Sequence, residues 1–326
     1  MFINPVHYYV PKLSFFLSYT FNPIFIYLIL YDKKSQLGSY RYLLLFFAIF
    51  NMACSLTDLL VPICVHDHRY AFVVFIADGP FSTVSSIGQL AISIRCGFIS
   101  CTYGILNVHF IFRYLVLNNS RVLDLYFLPH GLILSVLYCL VHLGVWATVC
   151  QMFLYPVPEM REYVRESFRE VYDGDSMEIN FLSALYHETN DDIIERSWIG
   201  ILLLTAISSY SIILYFVLGT MIIQGLNRNL SHTSERTNTM QRQLFKALTV
   251  QTTIPILVSF SPCIASFYGA AFLMNFPKWV YWVSSIAISM FPFMDPLAIT
   301  LFLPSLRHRL EMRIGLRPAP SSSLTL

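Results

Sequence analysis

The sequence predicts an all-α membrane protein: a seven-transmembrane helix bundle with its amino terminus outside. Three observations predict it. Of 326 residues, 56% are apolar and 12% are charged, about half the charged share of a soluble globular protein. The charge is also unevenly placed, since residues 151–197 carry 15 of the 40 charged side chains and the other 279 positions carry 25. So sparse a remainder cannot cover a water-facing surface, which argues against a soluble enzyme or a nucleic-acid binder. Finally, seven stretches reach the roughly 20 mostly apolar residues that a crossing helix needs.

Those stretches are 13–31, 42–65, 86–112, 125–150, 198–223, 247–274 and 279–303. They make a spanning domain over 1–303, with an acidic extracellular loop at 151–197, and leave 304–326 as a cytoplasmic tail. The first run lacks a basic leader and a small-residue cleavage site, so it reads as a retained span. The apolar piece Tyr70 to Ile76 is too short to cross and precedes the turn signal Asp78-Gly79-Pro80, so it reads as a loop segment dipping toward the interface. Prolines fall inside or at several spans (Pro23, Pro62, Pro129, Pro255, Pro262, Pro292 and Pro296), where neighbouring helices can satisfy the freed carbonyls. There is no internal repeat, and the only low-complexity piece is the serine run at Ser321 to Ser323.

Flanking basic residues set the orientation. One side carries Lys33, Lys34, Arg41, Arg113, Arg121, Arg228, Arg236, Arg242, Lys246, Arg307, Arg309, Arg313 and Arg317, 13 in all, against Lys12, Arg69 and Lys278 in the short segments opposite. The richer side is expected to be cytoplasmic. Both glycosylation sequons, at Asn118 and Asn229, fall on that side and are expected to stay unmodified. The long loop holds 11 of the 19 acids. Within it Met160, Val164, Phe168, Val171 and Tyr172 recur at helical spacing, which predicts an amphipathic helix over the outer mouth. Glu162 with Arg165 and Glu166 with Arg169 are its i,i+3 pairs.

No pattern supports catalysis or a cofactor. His187-Glu188 lacks the second histidine of a zinc-protease helix, and neither a phosphate loop nor a GxSxG turn occurs. His66-Asp67-His68 has no third partner and is expected in a short solvent-exposed loop. The seven cysteines form no CxxC pair; Cys64 and Cys150 alone lie near helix ends on one side, the candidate pair for a disulfide.

Ionisable groups inside spans are costly and mark function by default. At 1.5 Å per residue, Asp295, Asn51 and Asn22 each lie roughly 12–13 Å from the inner ends of their spans. Equal depth on three spans predicts a hydrogen-bonded cluster, either interhelical glue or a switch. Asp58 and Arg95 lie roughly 24–26 Å from the cytoplasmic ends and are expected to pair, because a lone buried charge costs several kcal/mol. With Gln89 one or two turns above, they are candidates to border a ligand cavity. His109, His130 and His142 are expected to be hydrogen-bonded packing residues.

The local motifs resemble those of the nematode seven-transmembrane chemoreceptors of the Str superfamily, the serpentine receptors near class J. The resemblance is carried by Asn22-Pro23-Ile24-Phe25, Gly38-Ser39-Tyr40-Arg41, His109-Phe110-Ile111-Phe112-Arg113-Tyr114, Gln243-Leu244-Phe245-Lys246-Ala247-Leu248 and Met294-Asp295-Pro296-Leu297. It implies a G-protein-coupled-receptor-like bundle in the plasma membrane, in the cilium of chemosensory neurons. It implies a small odorant or pheromone-like ligand and a heterotrimeric G protein as partners. Arg113, Tyr114, Arg228, Arg236, Arg242 and Lys246 are then the expected G-protein contacts. Against the wider rhodopsin-like pattern, Phe112 stands where an acid precedes the arginine, Asp295 where the last span has Asn, and Asn51 where the second has Asp. A seven-span ligand-gated channel or a transporter is the competing class. The basic-residue bias opposes the first, and the scattered prolines, without repeated halves, oppose the second.

Overall fold

A computed structural model describes residues 5–31, 38–118, 127–228, 235–274 and 278–313. Lys33, Lys34, Arg121, Arg317, the Asn229 sequon and the tail beyond Arg313 lie outside them. The chain order is α1 (Pro5–Leu30), α2 (Tyr40–Leu60), β1 (Ile63–His68), β2 (Ala71–Ile76), α3 (Ser86–Asn118), α4 (Leu132–Phe153), α5 (Pro158–Tyr172), β3 (Phe181–Leu185), α6 (Asp191–Arg228), α7 (Glu235–Pro255), α8 (Ser261–Ala271), α9 (Lys278–Phe302) and α10 (Pro304–Arg313). A π-helical turn at Phe127–Gly131 leads into α4, and another at Ile256–Phe260 joins α7 to α8.

Among the described residues, six helical segments are long and apolar enough to cross a membrane. They look outward with large apolar side chains, such as Phe16, Leu134 and Phe216, each about two-thirds exposed. The remaining expected span, 247–274, is composite. Pro255 lacks the N–H to continue α7 and Pro262 sits in the first turn of α8, so the helix changes pitch between them.

The departure from an all-helical chain is a three-stranded antiparallel sheet in the order β1-β2-β3. α2 stops at Leu60 rather than Val65, because Pro62 disfavours helix at the residue before it, and β1 follows at once. The segment expected to dip toward the interface is instead strand β2, buried at every residue. A two-residue turn at Arg69 and Tyr70 joins β1 to β2, with Arg69 at φ 51°. β2 pairs on its other side with β3, more than a hundred residues later.

The sheet is sandwiched. Its inner face (Phe72, Val74, Leu182, Ala184) packs on the bundle with Ile92, Trp146, Leu204 and Phe267. Its outer face (Cys64, Val73, Phe75, Phe181) packs under Met160, Val164 and Phe168 of α5. Burying such side chains contributes about 1.5–3 kcal/mol each. α5 is thus the expected amphipathic helix, although Val171 turns outward. Arg165 keeps its pair with Glu162, but Arg169 joins Arg165 on Asp175 instead of bonding Glu166. The hydrogen bonds from Arg165 hold the Asp175 carboxyl well below the usual carboxylate range.

The structure departs from two further expectations. His66 lies in a strand, not an exposed loop; it is buried, with Nε2 2.9 Å from Ser167 Oγ and its ring edge-on to Phe168. Cys64 and Cys150 are both free thiols and face opposite sides of the sheet, Cys64 toward α5 and Cys150 toward the bundle. Burial pushes the Cys64 thiol up to about 12.

Candidate functional site

Beneath the inner face of the sheet lies a cavity with about 780 Å³ of space free of atoms, its opening included. Its roof is Ile63, Val65, Phe72, Val74 and Leu182; its walls come from α3, α4, α6, α8 and α9, among them Ile99, Trp146, Leu204, Ile264 and Ile288. Among the described residues, no charged side chain lines it. The polar groups of its described lining residues are the hydroxyls of Tyr103, Ser208, Ser266 and Ser285, the indole N–H of Trp146, and the thiols of Cys96, Cys150 and Cys263. Such a wall suits a neutral, mainly apolar small molecule, since a charge there would lose its hydration without a partner.

Arg95 and Asp58 meet across α3 and α2: Nε and Nη2 of Arg95 donate to Oδ1 of Asp58 at 3.2 and 2.6 Å, and both residues are buried. They do not line the cavity, although Cys96, the next residue, does. The guanidinium turns toward α2 because its counter-charge lies there. Gln89 also stays off the cavity. It donates from Nε2 to the Phe181 carbonyl at 2.7 Å, and its own carbonyl accepts from Gln151. It therefore pins β3 to α3. Asn180 does similar work that the sequence did not announce. Its Nδ2 donates to the carbonyls of Phe81 and Thr83, and its Oδ1 accepts from Ser85 N–H. Only glycine fits at position 88, where a Cβ would lie 2.1 Å from that amide.

At mid-depth the expected trio divides. Asn51 Nδ2 donates to Asp295 Oδ2 at 3.2 Å, joining α2 to α9. Asn22 donates instead to the Pro292 carbonyl, and to Ser18, each at 3.0 Å. The reason is local. Pro296 has no N–H to give the carbonyl four residues back, and the Asn22 amide takes its place. Below the cavity Asn107 Nδ2 donates to the hydroxyls of Tyr138 and Ser211, tying α3 to α4 and α6. His142 and His109 are buried packing residues, bonded to Ser100 and Tyr40, whereas His130 is exposed.

At the end opposite the sheet, Arg113 is buried rather than presented to solvent. Its Nη1 donates to Gln241 Oε1 of α7 at 3.0 Å, and its guanidinium lies 3.8 Å from the ring centroid of Tyr40. Tyr114 is partly buried. Arg228, Arg242 and Lys246 are exposed, with Arg242 reaching Asn227 at 3.1 Å; Arg236 lies in the first turn of α7. Among the described residues no group of three histidine, cysteine or acidic side chains is placed to hold a metal.

The family model described as serpentine type 7TM GPCR chemoreceptor Srj matches residues 1–310. The chain belongs to that family. It is 38% identical to serpentine receptor class J-38 of Caenorhabditis elegans, over 94% of this chain and 92% of that one. It is 26% identical to the G-protein coupled receptor str-33 of the same organism, over 81% of this chain and 78% of the relative. It is 25% identical to that organism's serpentine receptor class r-10, over 86% and 83%. An Srj chain is a multi-pass membrane receptor of the chemoreceptor class, not an enzyme. In this Srj chain the position before Arg113 is apolar Phe112, and the arginine is held by an amide and an aromatic ring rather than by an acid.

Proposed function

We propose that the chain is a chemosensory receptor with its amino terminus outside. A small odorant or pheromone-like molecule occupies the apolar cavity, and the opposite end signals through a heterotrimeric G protein. The observation that carries this reading is the apolar cavity, roofed by the β1-β2-β3 sheet at the end away from the basic helix termini. The 13-to-three bias in flanking basic residues supports the cytoplasmic assignment of those termini. Residues 1–303 are the spanning domain and 304–326 the tail. Arg228, Arg236, Arg242 and Lys246, with Arg113 once released, supply cationic contacts to an acidic partner surface. The plasma membrane of a sensory cilium is the proposed location.

The test is a calcium or cAMP screen of odorants in cells expressing the chain, repeated with Ser208→Leu. Ser208 lines the cavity, so the larger side chain narrows it. Surface expression should hold while the dose–response curve of any active odorant shifts. A curve unchanged by the substitution would place the ligand elsewhere.

A further inference from the structure

Two cysteine pairs lie on the seam between α3 and α4. The register of the seam sets them opposite one another: Gln151, next to Cys150, donates from Nε2 to Ser93 Oγ at 2.9 Å one turn from Cys96, and Ser100, next to Cys101, meets His142 Nδ1 at 3.2 Å one turn from Cys139. All four are free and buried. Their surroundings differ. Cys96 and Cys150 both line the cavity beneath the sheet, and Cys150 is three residues from the outer end of α4. Cys101 and Cys139 are deep in the packed core with Phe47, Phe50 and Ile105, away from the cavity. Thiol–disulfide exchange needs contact with a disulfide sulfur, so access separates pairs that are otherwise alike.

We propose that Cys96 and Cys150 form a redox modification site, oxidised by a disulfide from the outer, oxidising compartment, while Cys101 and Cys139 stay thiols. One thiol attacks the incoming R′S–SR′ as its thiolate, forming a mixed disulfide and expelling R′S⁻. The second thiol then attacks the protein-bound sulfur, closing the Cys96–Cys150 bond and expelling the other R′S⁻. The two protons lost by the cysteines end on the two R′SH products. The cross-link staples α3 to α4 across the cavity wall and removes two S–H groups from its surface. The site rests on the proposed orientation, which epitope tags at the two termini test independently of the thiols.

The experiment uses the full chain in membranes incubated with 2-hydroxyethyl disulfide, a small neutral oxidant. Free thiols are blocked with light N-ethylmaleimide under denaturing conditions. After reduction the released thiols are labelled with the heavy reagent, and the peptides are read by mass spectrometry. The expected result is heavy label on Cys96 and Cys150 in equal amounts, with light label on Cys101 and Cys139. Light label on Cys96 and Cys150 would overturn the proposal, as would heavy label spread equally over all four. A Cys150→Ser chain supplies the second measurement. Its Cys96 should carry the light label or a hydroxyethylthio adduct, and a partner cysteine elsewhere would remove the pairing.

Discussion

Arg95 on α3 directs both Nε and Nη2 at one oxygen of Asp58 on α2, so the pair uses half of the fork it could make. Asp58 Oδ2 and Arg95 Nη1 have no hydrogen-bond partner among the described residues, and the two side chains are 3% and 1% exposed. A pair this dry depends on both members, because the loss of either strands a charge in the bundle.

Arg95→Gln should therefore cost about 3–5 kcal/mol and keep most of the protein from the cell surface. Adding Asp58→Asn removes the stranded carboxylate and should restore surface staining. Wild-type surface levels of Arg95→Gln alone would show that the pair contributes nothing. Since neither residue lines the cavity, the rescued double variant should keep the ligand response of the parent.

The Asn51–Asp295 bond and the Asn22–Pro292 bond make separable predictions. Exchanging the first pair, Asn51→Asp with Asp295→Asn, should recover more thermal stability than the two single losses predict, with a coupling of about 0.5–3 kcal/mol. Asn22→Ala strands the Pro292 carbonyl and should cost about 1–3 kcal/mol. Its effect should add to that of Asn51→Ala. Strict additivity within the exchange, measured on purified protein in detergent, would rule out the Asn51–Asp295 network.

Arg113 needs an exit from its site before it can touch a partner. Gln241→Ala removes the amide that holds it to α7, so ligand-independent signalling should rise severalfold over wild type. Arg113→Ala should abolish signalling at normal surface level. Unchanged basal output from Gln241→Ala would mean that the amide is no restraint on signalling.

How much of this was legible in the sequence follows from range. Hydropathy is local, so the apolar stretches were readable but not how far each helix runs past them: α6 begins seven residues before its stretch and α7 twelve. Depth is also local, which is why Asp58 and Arg95 could be matched by counting along two helices. Rotation about a helix axis is not. The arginine thus seemed to border a cavity that it turns away from, and Arg113 seemed exposed although Tyr40 and Gln241 enclose it.

The sheet was hidden for another reason. β2, Ala-Phe-Val-Val-Phe-Ile, is buried on both faces and so lacks the polar alternation that signals a strand. Its turn, Arg69-Tyr70, lacks the usual Gly or Asn, and its second partner β3 lies inside the acidic loop. Once that strand is missed, His66 falls in an apparent loop and the cavity has no roof. Asn180 and Gln151 were silent as well, because an isolated amide carries no pattern until its partners are placed.

Acid should loosen the lid that the β1-β2-β3 sheet and α5 form over the cavity. Burial lowers the His68 pKa, with Arg69 pushing the same way and Glu170, Glu166 and Glu188 opposing. Because the folded lid favours the neutral ring, an opened lid binds the proton first. The His68 contribution is therefore complete above the free value of about 6.5 and declines as pH falls through it toward the lowered folded value. Asp175 does not contribute in that window. Its depressed carboxyl adds stability above the free value of about 4 that is lost only as pH falls below it. Hydrogen exchange of the Val73 and Phe75 amides, corrected for intrinsic rates, should show protection falling a few-fold between pH 7.5 and pH 5. In His68→Gln that fall should be smaller, while the loss below pH 4 remains. An identical pH slope in the variant would remove His68 from the account and leave the lid's acid response, if any, to other groups.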